Sequence, residues 1–284
     1  LINKMMGWLP ELPDMRDLTL ESDNVNETLG KLMLEKSTLP VSVTLKKWFP
    51  VVENQGDIGS CTANAGVGVF EYFERRAFGE HIEGSRLFLY KVTRNLMMEK
   101  GDSGAYLRTT MGAMKLFGVP PEKYWPYDIS KFDEEPPAFL FSFADDYKAL
   151  QYVNLDPPNT SSSTLLNNVK GSIAGGVPAI FGFSVYDSME QAKLSGSIPF
   201  PVKGEKVAGG HAIVAMGYND SMRIKNKNSN GYTTGALMIR NSWGDSWGDE
   251  GYGWLPYEYV LKGLTADWWA LIQASWVDTG EFIV

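Results

Sequence analysis

The chain has one cysteine, Cys61, in 284 residues, so no disulfide can form within it. That suits a reducing compartment, although secreted bacterial proteins also do without disulfides. It has two histidines, His81 and His211. One Cys and two separated His do not make a zinc set, and no metal or other cofactor is expected. Long apolar runs are missing: none approaches the roughly 18–20 residues that a membrane span needs. Basic charge is in deficit, with 26 Lys and Arg against 34 Asp and Glu and a net charge of −8. Nucleic acid and anionic membranes are therefore poor partners, since both call for a basic surface. The N-terminus "LINKMMGWLPELPDMRD" lacks a basic segment followed by an apolar stretch, so no signal peptide is visible. The chain opens on Leu1 and not on Met, which leaves localisation open, including secreted or periplasmic if the N-terminus was trimmed.

What is present is a core. Apolar residues make up 44% of the chain and aromatics 13%, enough to bury a sizeable interior in one large domain or two small ones. Residues 1–38, with many acids and two Leu-Pro steps, read as an irregular extension, either loose or packed as a strap on the surface. Residues 39–140 read as mainly helical and 141–284 as mainly strand. In "CTANAGVGVFEYFERR", Cys61, Ala65, Val69 and Phe73 recur every four residues, with Ala63, Val67 and Phe70 on a second face. A helix apolar on two faces is buried within a domain. Ser60 suits its N-cap, and Arg75 and Arg76 suit its C-terminal dipole. Gly66 and Gly68 each cost up to ~1 kcal/mol against Ala there, which predicts that other backbone passes close by. Further helices are expected near 85–98, 106–117 and 163–174. Strands are expected in "YKALQYVNL", "VPAIFGFSV", "HAIVAMGY", "GALMIRN", "GYGWL" and "WWALIQAS". Helices first and strands second predict an α+β protein of two lobes with a cleft between them.

The lone cysteine falls at the first turn of the buried helix, where the partial positive charge stabilises a thiolate. A thiolate needs an acid/base partner. His81 lies just past the far end of the same helix, too distant at 1.5 Å per residue. His211 opens the strand "HAIVAMGY", and "GALMIRN" ends at Asn241. If these strands form an antiparallel hairpin about the loop 219–235, with its "NSNG" turn signal, His211 and Asn241 become neighbours. An Asn oxygen that accepts one imidazole N–H fixes the tautomer and points the other nitrogen outward. Equally, a histidine at a strand start can be a packed, hydrogen-bonded residue. Gln55, six residues before Cys61, could join the Cys61 amide in holding an oxyanion; taken alone, a loop Gln is a solvated side chain.

Together "VENQGDIGSC", "GGHAIVAMGY" and "IRNSWGDSWGDEGYG" resemble the papain family of cysteine peptidases. The last is the most specific, with Asn241 to Gly244, then Trp247, Gly248, Gly251 and Tyr252 in the family's order. "GDSGAYLRTTMGAMKLFGV…YWPYD" is similar to the family's crossover between lobes, and the likeness runs over about 39–275. It implies a papain-like two-lobe α+β fold, with a helical left lobe, an antiparallel β-barrel-like right lobe and the cleft between. It implies Cys61 as nucleophile, His211 as its proton partner, Asn241 as the group orienting His211, Gln55 as oxyanion donor and Trp243 as a shield over the His–Asn bond. Departures are visible. The family's Cys-Gly-(Ser/Ala)-Cys-(Trp/Tyr) run reads Ile58-Gly59-Ser60-Cys61-Thr62 here, so a half-cystine is lost. By the same resemblance, Asp102 occupies the position of its missing partner. Gly210 stands where members often carry an acid, and Asn241 comes late, which the resemblance explains by an insertion at 219–235.

The resemblance also sketches the substrate groove. Gly104, Ala105 and Tyr106 match the wall whose backbone pairs with an extended peptide. Leu107, Ala179, Gly209 and Ala212 would line the pocket for the residue two before the cut, with Gly210 and Trp243 beside it. These are small or apolar, so an apolar or aromatic side chain is expected there. The family's long helical prosegment is absent. Residues 1–38, extended and Pro-rich, are expected to lie in or beside the cleft as an intramolecular inhibitor, in the manner of a zymogen. The expected function is peptide hydrolysis on peptide or protein substrates. The alternatives are a thiol-dependent acyl transferase or deamidase, and a non-catalytic peptide-binding protein blocked by its own extension. The complete Gln, Cys, His and Asn set argues against a relic.

Overall fold

The two-faced apolar pattern after Cys61 folds into one helix, and the parts that position the site are built around it. The structure, a computed structural model, describes residues 6–31, 33, 39–274 and 277–278. Residues 1–5, 32 and 34–38 of the expected extension lie outside the described residues. The helices in chain order are α1 (Asp23–Val25), α2 (Cys61–Phe78), α3 (Arg86–Leu96), α4 (Leu107–Leu116), α5 (Ala138–Phe143), α6 (Ser162–Ala174) and α7 (Tyr257–Leu261). The strands are β1 (Ser42–Thr44), β2 (Ala149–Asn154), β3 (Ala179–Tyr186), β4 (Val207–Lys225), β5 (Tyr232–Arg240), β6 (Tyr252–Pro256), β7 (Thr265–Ala274) and β8 (Val277–Asp278). Among the described residues no helix is long and apolar enough to cross a membrane.

Helix α2 is buried from Cys61 through Glu74. It stops at Gly79, whose φ of 81° is the left-handed C-terminal turn that glycine takes without strain. Ser60 holds the N-cap position but does not cap with its side chain. Its hydroxyl instead pairs with the Tyr127 hydroxyl at 2.6 Å and accepts from Asn64 Nδ2 at 3.0 Å. The two glycines inside α2 admit side chains, not the neighbouring backbone that the sequence pattern predicts. A Cβ on Gly66 would lie 3.1 Å from Met114 Sδ, and one on Gly68 would lie 2.7 Å from the Arg240 guanidinium. Arg240 sits on β5, so the second glycine brings the helix down onto the sheet.

The sheet is antiparallel, in the order β2-β7-β3-β4-β5-β6, with β1 added to β4 and β8 to β7. Strand β1 therefore comes from the first 140 residues but belongs to the sheet. Strands β4 and β5 pair as expected, with Val214 opposite Arg240 and Tyr218 opposite Leu237. The expected loop at 219–235 is largely strand. Past a register shift between Asn219 and Arg223, pairing resumes from Arg223 opposite Thr234 to Lys225 opposite Tyr232. The β-branched Ile224 and Thr233 face each other there and favour the extension.

A second irregularity matters more. Ile180 pairs with Trp269 and Gly182 with Ala266, so Asp267 and Trp268 both stand opposite Phe181. Asp267 has φ 58°, a left-handed conformation that Asp tolerates better than most residues. Trp268 stacks on Phe181 with ring centroids 3.9 Å apart, which anchors the bulge from the core side. A bulge of this kind re-aims a side chain, here the Asp267 carboxyl.

Candidate active site

Cys61 is fully buried, at the first residue of α2. The hairpin of β4 and β5 brings up the other groups. His211 Nε2 lies 2.8 Å from Asn241 Oδ1. The next residue, Ala212, donates its backbone N–H to Cys61 Sγ at 3.4 Å. His211 Nδ1, the nitrogen turned away from Asn241, is buried and has no hydrogen-bond partner among the described residues. Trp243 stacks on the His211 ring at 4.8 Å and 26° between planes, and Phe183 meets it edge-on at 5.9 Å. Trp243 thus covers one face of the imidazole and Phe183 meets its edge, in a place where His211 and Asn241 are both buried.

Gln55 is fixed from two directions. Ser242 donates its hydroxyl to Gln55 Oε1 at 2.6 Å, and Gln55 Nε2 donates to Ile58 O at 2.9 Å. The backbones join too, Gln55 N–H to Ser242 O at 2.8 Å. Ser242 was not singled out in the sequence, although it stands inside the Asn-Ser-Trp-Gly run. Its amide also donates to Asn241 Oδ1 at 2.8 Å, so one residue steadies both amides. Asp102 takes the place of a cross-link. Its Oδ1 accepts from Gly59 N–H at 2.8 Å and from Tyr90 Oη–H at 2.5 Å, tying the loop before Cys61 to α3.

Burial sets the charge state. The Cys61 thiol is pushed up to about 11, because the covered site does not solvate a thiolate. The N–H groups of Ala212, Gly7, Thr62 and Cys61 point at the sulfur and pull the other way. His211 is pushed down to about 4 by the same burial, against the opposing effect of Asn241. The pair as it stands is neutral, a thiol beside an imidazole.

The cover is the chain's own N-terminal segment. Gly7 lies on the thiol, and a Cβ there would overlap Gly59 O. Ala105 N–H donates to Gly7 O at 2.7 Å, and Leu9 N–H donates to Ala105 O at 3.1 Å. Trp8 N–H donates to Gly210 O at 3.3 Å. Trp8 and Ala105 form a parallel bridge, so the segment is a short strand laid along the Gly104–Ala105 wall. Met6 rests against Gly209. The Trp8 indole lies on Gly182 and Gly210 and donates Nε1–H to Asp267 Oδ2 at 2.9 Å. Farther along, Arg108 holds Glu11 at 2.9 Å and Asp17 at 2.7 Å.

The predicted groove residues are placed as follows. Gly104, Ala105, Gly209, Gly210 and Ala212 border the strap or the thiol. Tyr106 is the half-exposed N-cap of α4, Leu107 is buried in its first turn, and Trp243 covers His211. Ala179 is elsewhere. It pairs with Ala215, three residues along β3 from Gly182, so the strand's alternation turns it to the other face. Gly182, not Ala179, is the β3 residue under the indole. The sequence signal for Asp267 was an acid next to two tryptophans at the start of an apolar strand.

Residues 40–261 match the family profile described as papain family cysteine protease. The chain belongs to the papain family. It is a cysteine protease, a hydrolase, with the papain-like α+β fold. An uncharacterized peptidase-like protein of Acanthamoeba polyphaga mimivirus is 30% identical over 96% of this chain and 88% of its own length. Chymopapain of Carica papaya is 27% identical over 71% of this chain and 50% of its own. The crystal structure of xylellain, a cysteine protease from Xylella fastidiosa, superposes with a TM-score of 0.75 at 31% identity, covering 95% of this chain and 96% of that one. This papain-family chain carries no second cysteine to pair with Cys61.

Proposed function

We propose that Cys61, His211 and Asn241 act as a triad that hydrolyses peptide bonds through an acyl-enzyme, with Gln55 and the Cys61 amide holding the oxyanion. The observation that carries this reading is the join at Cys61. The residue after His211 donates to the thiol, while the imidazole is oriented from behind by Asn241. The thiolate attacks the carbonyl carbon, and His211 gives its proton to the leaving amine. Water, losing a proton to His211, then releases the acid.

The resting form in this reading is closed. Residues 6–11 occupy the cleft, and burial keeps the thiol and imidazole neutral. A strap that runs parallel to the Ala105 wall presents its peptide bonds in one sense, while a chain of the other sense would pair antiparallel. That accounts for a segment seated on a nucleophile without being a good substrate.

The test is the alkylation rate of Cys61 by iodoacetamide from pH 4 to 10, read by intact mass and run beside hydrolysis of peptide amides. The intact chain is expected to react slowly below about pH 9, because its thiol titrates near 11. The Gly7→Val chain cannot keep the strap on Gly59, so it is expected to react already near pH 5 and to cleave peptides. A Gly7→Val chain whose thiol still reacts only above its ordinary pKa of ~8.5 would sink the triad.

A further inference from the structure

Beside the thiol the sheet has a floor of glycine and alanine. Gly182 of β3 is flanked by Ala212 of β4 and Ala266 of β7, directly opposite it in register, with Gly210 two residues along β4 on the same face. The Trp8 indole fills this hollow. A Cβ on Gly182 would overlap its ring, and one on Gly210 would come within 2.8 Å. At the rim, the β7 bulge turns Asp267 out of the strand, and Asp267 Oδ2 takes the indole N–H at 2.9 Å and the Glu11 amide at 3.1 Å. The bulge is anchored independently of the strap, by the Trp268 stack on Phe181 and by Trp268 N–H donating to Asp156 Oδ1 at 2.8 Å. The hollow and its carboxylate therefore belong to the body of the protein, and Trp8 is their present occupant.

We infer that Asp267 is the specificity-determining residue of this pocket, and that the preferred substrates carry tryptophan two residues before the cut, read through its indole N–H. This rests on the peptidase reading and sharpens it, since an apolar pocket alone would treat Phe and Trp alike. The position follows from the strap, which runs parallel to the wall where a substrate would run antiparallel: with Gly7 on the thiol, Trp8 fills the place that a substrate fills with the residue two before the cut. Arginine and lysine fit less well. Arg108 already faces Asp267 electrostatically, and the small-residue floor matches a flat ring better than an aliphatic stem.

The experiment compares peptides that differ only at that position: Trp, benzothienylalanine (the same shape with sulfur for N–H), Phe and Arg. The full chain carrying Gly7→Val is used, so that the cleft is open. Two readouts are taken, kcat/KM for peptide amides and protection of Cys61 from iodoacetamide by the matching uncleavable peptides. Trp is expected to exceed benzothienylalanine by about ten- to hundredfold in both, the worth of one hydrogen bond to a charged acceptor. Asp267→Ala is expected to bring that ratio close to one. Asp267→Asn, which keeps the left-handed turn and an acceptor oxygen, is expected to keep part of it. A ratio near one in the parent, a ratio unchanged by Asp267→Ala, or Arg outdoing Trp would overturn the inference. If the Trp ratio appears in protection while no peptide is cleaved, the specificity stands and the hydrolase reading fails. Cleavage without the ratio reports the reverse.

Discussion

At the scale of single residues, the site depends on amides held still. In the proposed role of oxyanion donor, Gln55 must keep its oxygen turned from the substrate, and Ser242 holds that oxygen at 2.6 Å. In the Gly7→Val background, Gln55→Ala is expected to lower kcat by about 10²–10³-fold with KM little changed, the pattern of a group that acts on the transition state. Ser242→Ala leaves the Gln55 oxygen without its hydroxyl partner and is expected to give a smaller loss in the same parameter. Equal losses in kcat and gains in KM would mean that Gln55 binds substrate instead. Cys61, His211, Asn241 and Gln55 were legible in the sequence as candidates because they fall in three distinct runs, Gln55 and Cys61 sharing the first. Ser242 and Asp102 were not assigned these bonds there. Their work depends on which loops touch, and only the backbone pairing of Gln55 with Ser242 and the approach of Gly59 to Asp102 bring them into range.

At the scale of elements, the strap is the part whose chemistry the sequence concealed. "WLPELPDMRD" reads as acidic and extended, but its Glu11 is driven into a place where a carboxylate is poorly solvated. Burial pushes Glu11 up to about 8. The Arg108 backbone N–H and guanidinium oppose that, while the charges of Asp267 and Asp17 add to it. Asp267 is raised as well, chiefly by burial, against the N–H groups of Trp8 and Glu11 and the charge of Arg108. A solvated Glu loses its proton near 4.5, so the closed form holds a proton that the open form releases. Closure is therefore at full strength below about 4.5 and is lost as pH rises through about 8. Hydrogen-exchange protection of the Trp8 and Leu9 amides, corrected for intrinsic rate, is expected to fall across that window. In Glu11→Gln the fall is expected to shrink, since Gln mimics the protonated acid. Protection that grows with pH would mean that the Arg108 ion pairs, and not shared protons, hold the strap. The hairpin extension shows a different kind of illegibility. "NSNG" marks its turn correctly, but polar residues such as Arg223 and Lys225 look like loop until the register past the bulge gives them strand partners.

At the scale of the whole molecule, helices first and strands second was readable from pattern, because apolar spacing of four marks the buried helix and short continuous apolar runs mark strands buried on both faces. Connections across that division were readable only in part: the extension was expected in or beside the cleft, but neither its anchors nor the pairing of β1 was. β1 leaves the helical half to pair with β4, and the strap crosses between halves, bonding Ala105 and Arg108 on one side and Gly210, Asp267 and Asn154 on the other. Leu18 O accepts from Asn154 N–H at 2.8 Å, which fixes the strap's far end to β2. If the strap gates the cleft as proposed, its anchors to both halves make it a brace as well, so opening and loosening are coupled when the anchor itself is broken. Arg108→Met removes the guanidinium held between Glu11 and Asp17, whose side chains are only 3% and 9% exposed, and leaves two poorly solvated carboxyl groups without that partner. It is expected to raise the Cys61 alkylation rate and to lower Tm by several degrees together, a loss of about 1–3 kcal/mol of stability at ~2–4 °C per kcal/mol. Gly7→Val lifts the strap only where it meets Gly59, so it is expected to raise alkylation with a smaller fall in Tm. Calorimetry and intact-mass alkylation on the same samples decide the matter. If Arg108→Met lowers Tm while Cys61 stays as shielded as before, the ion pairs brace the molecule but do not hold the gate.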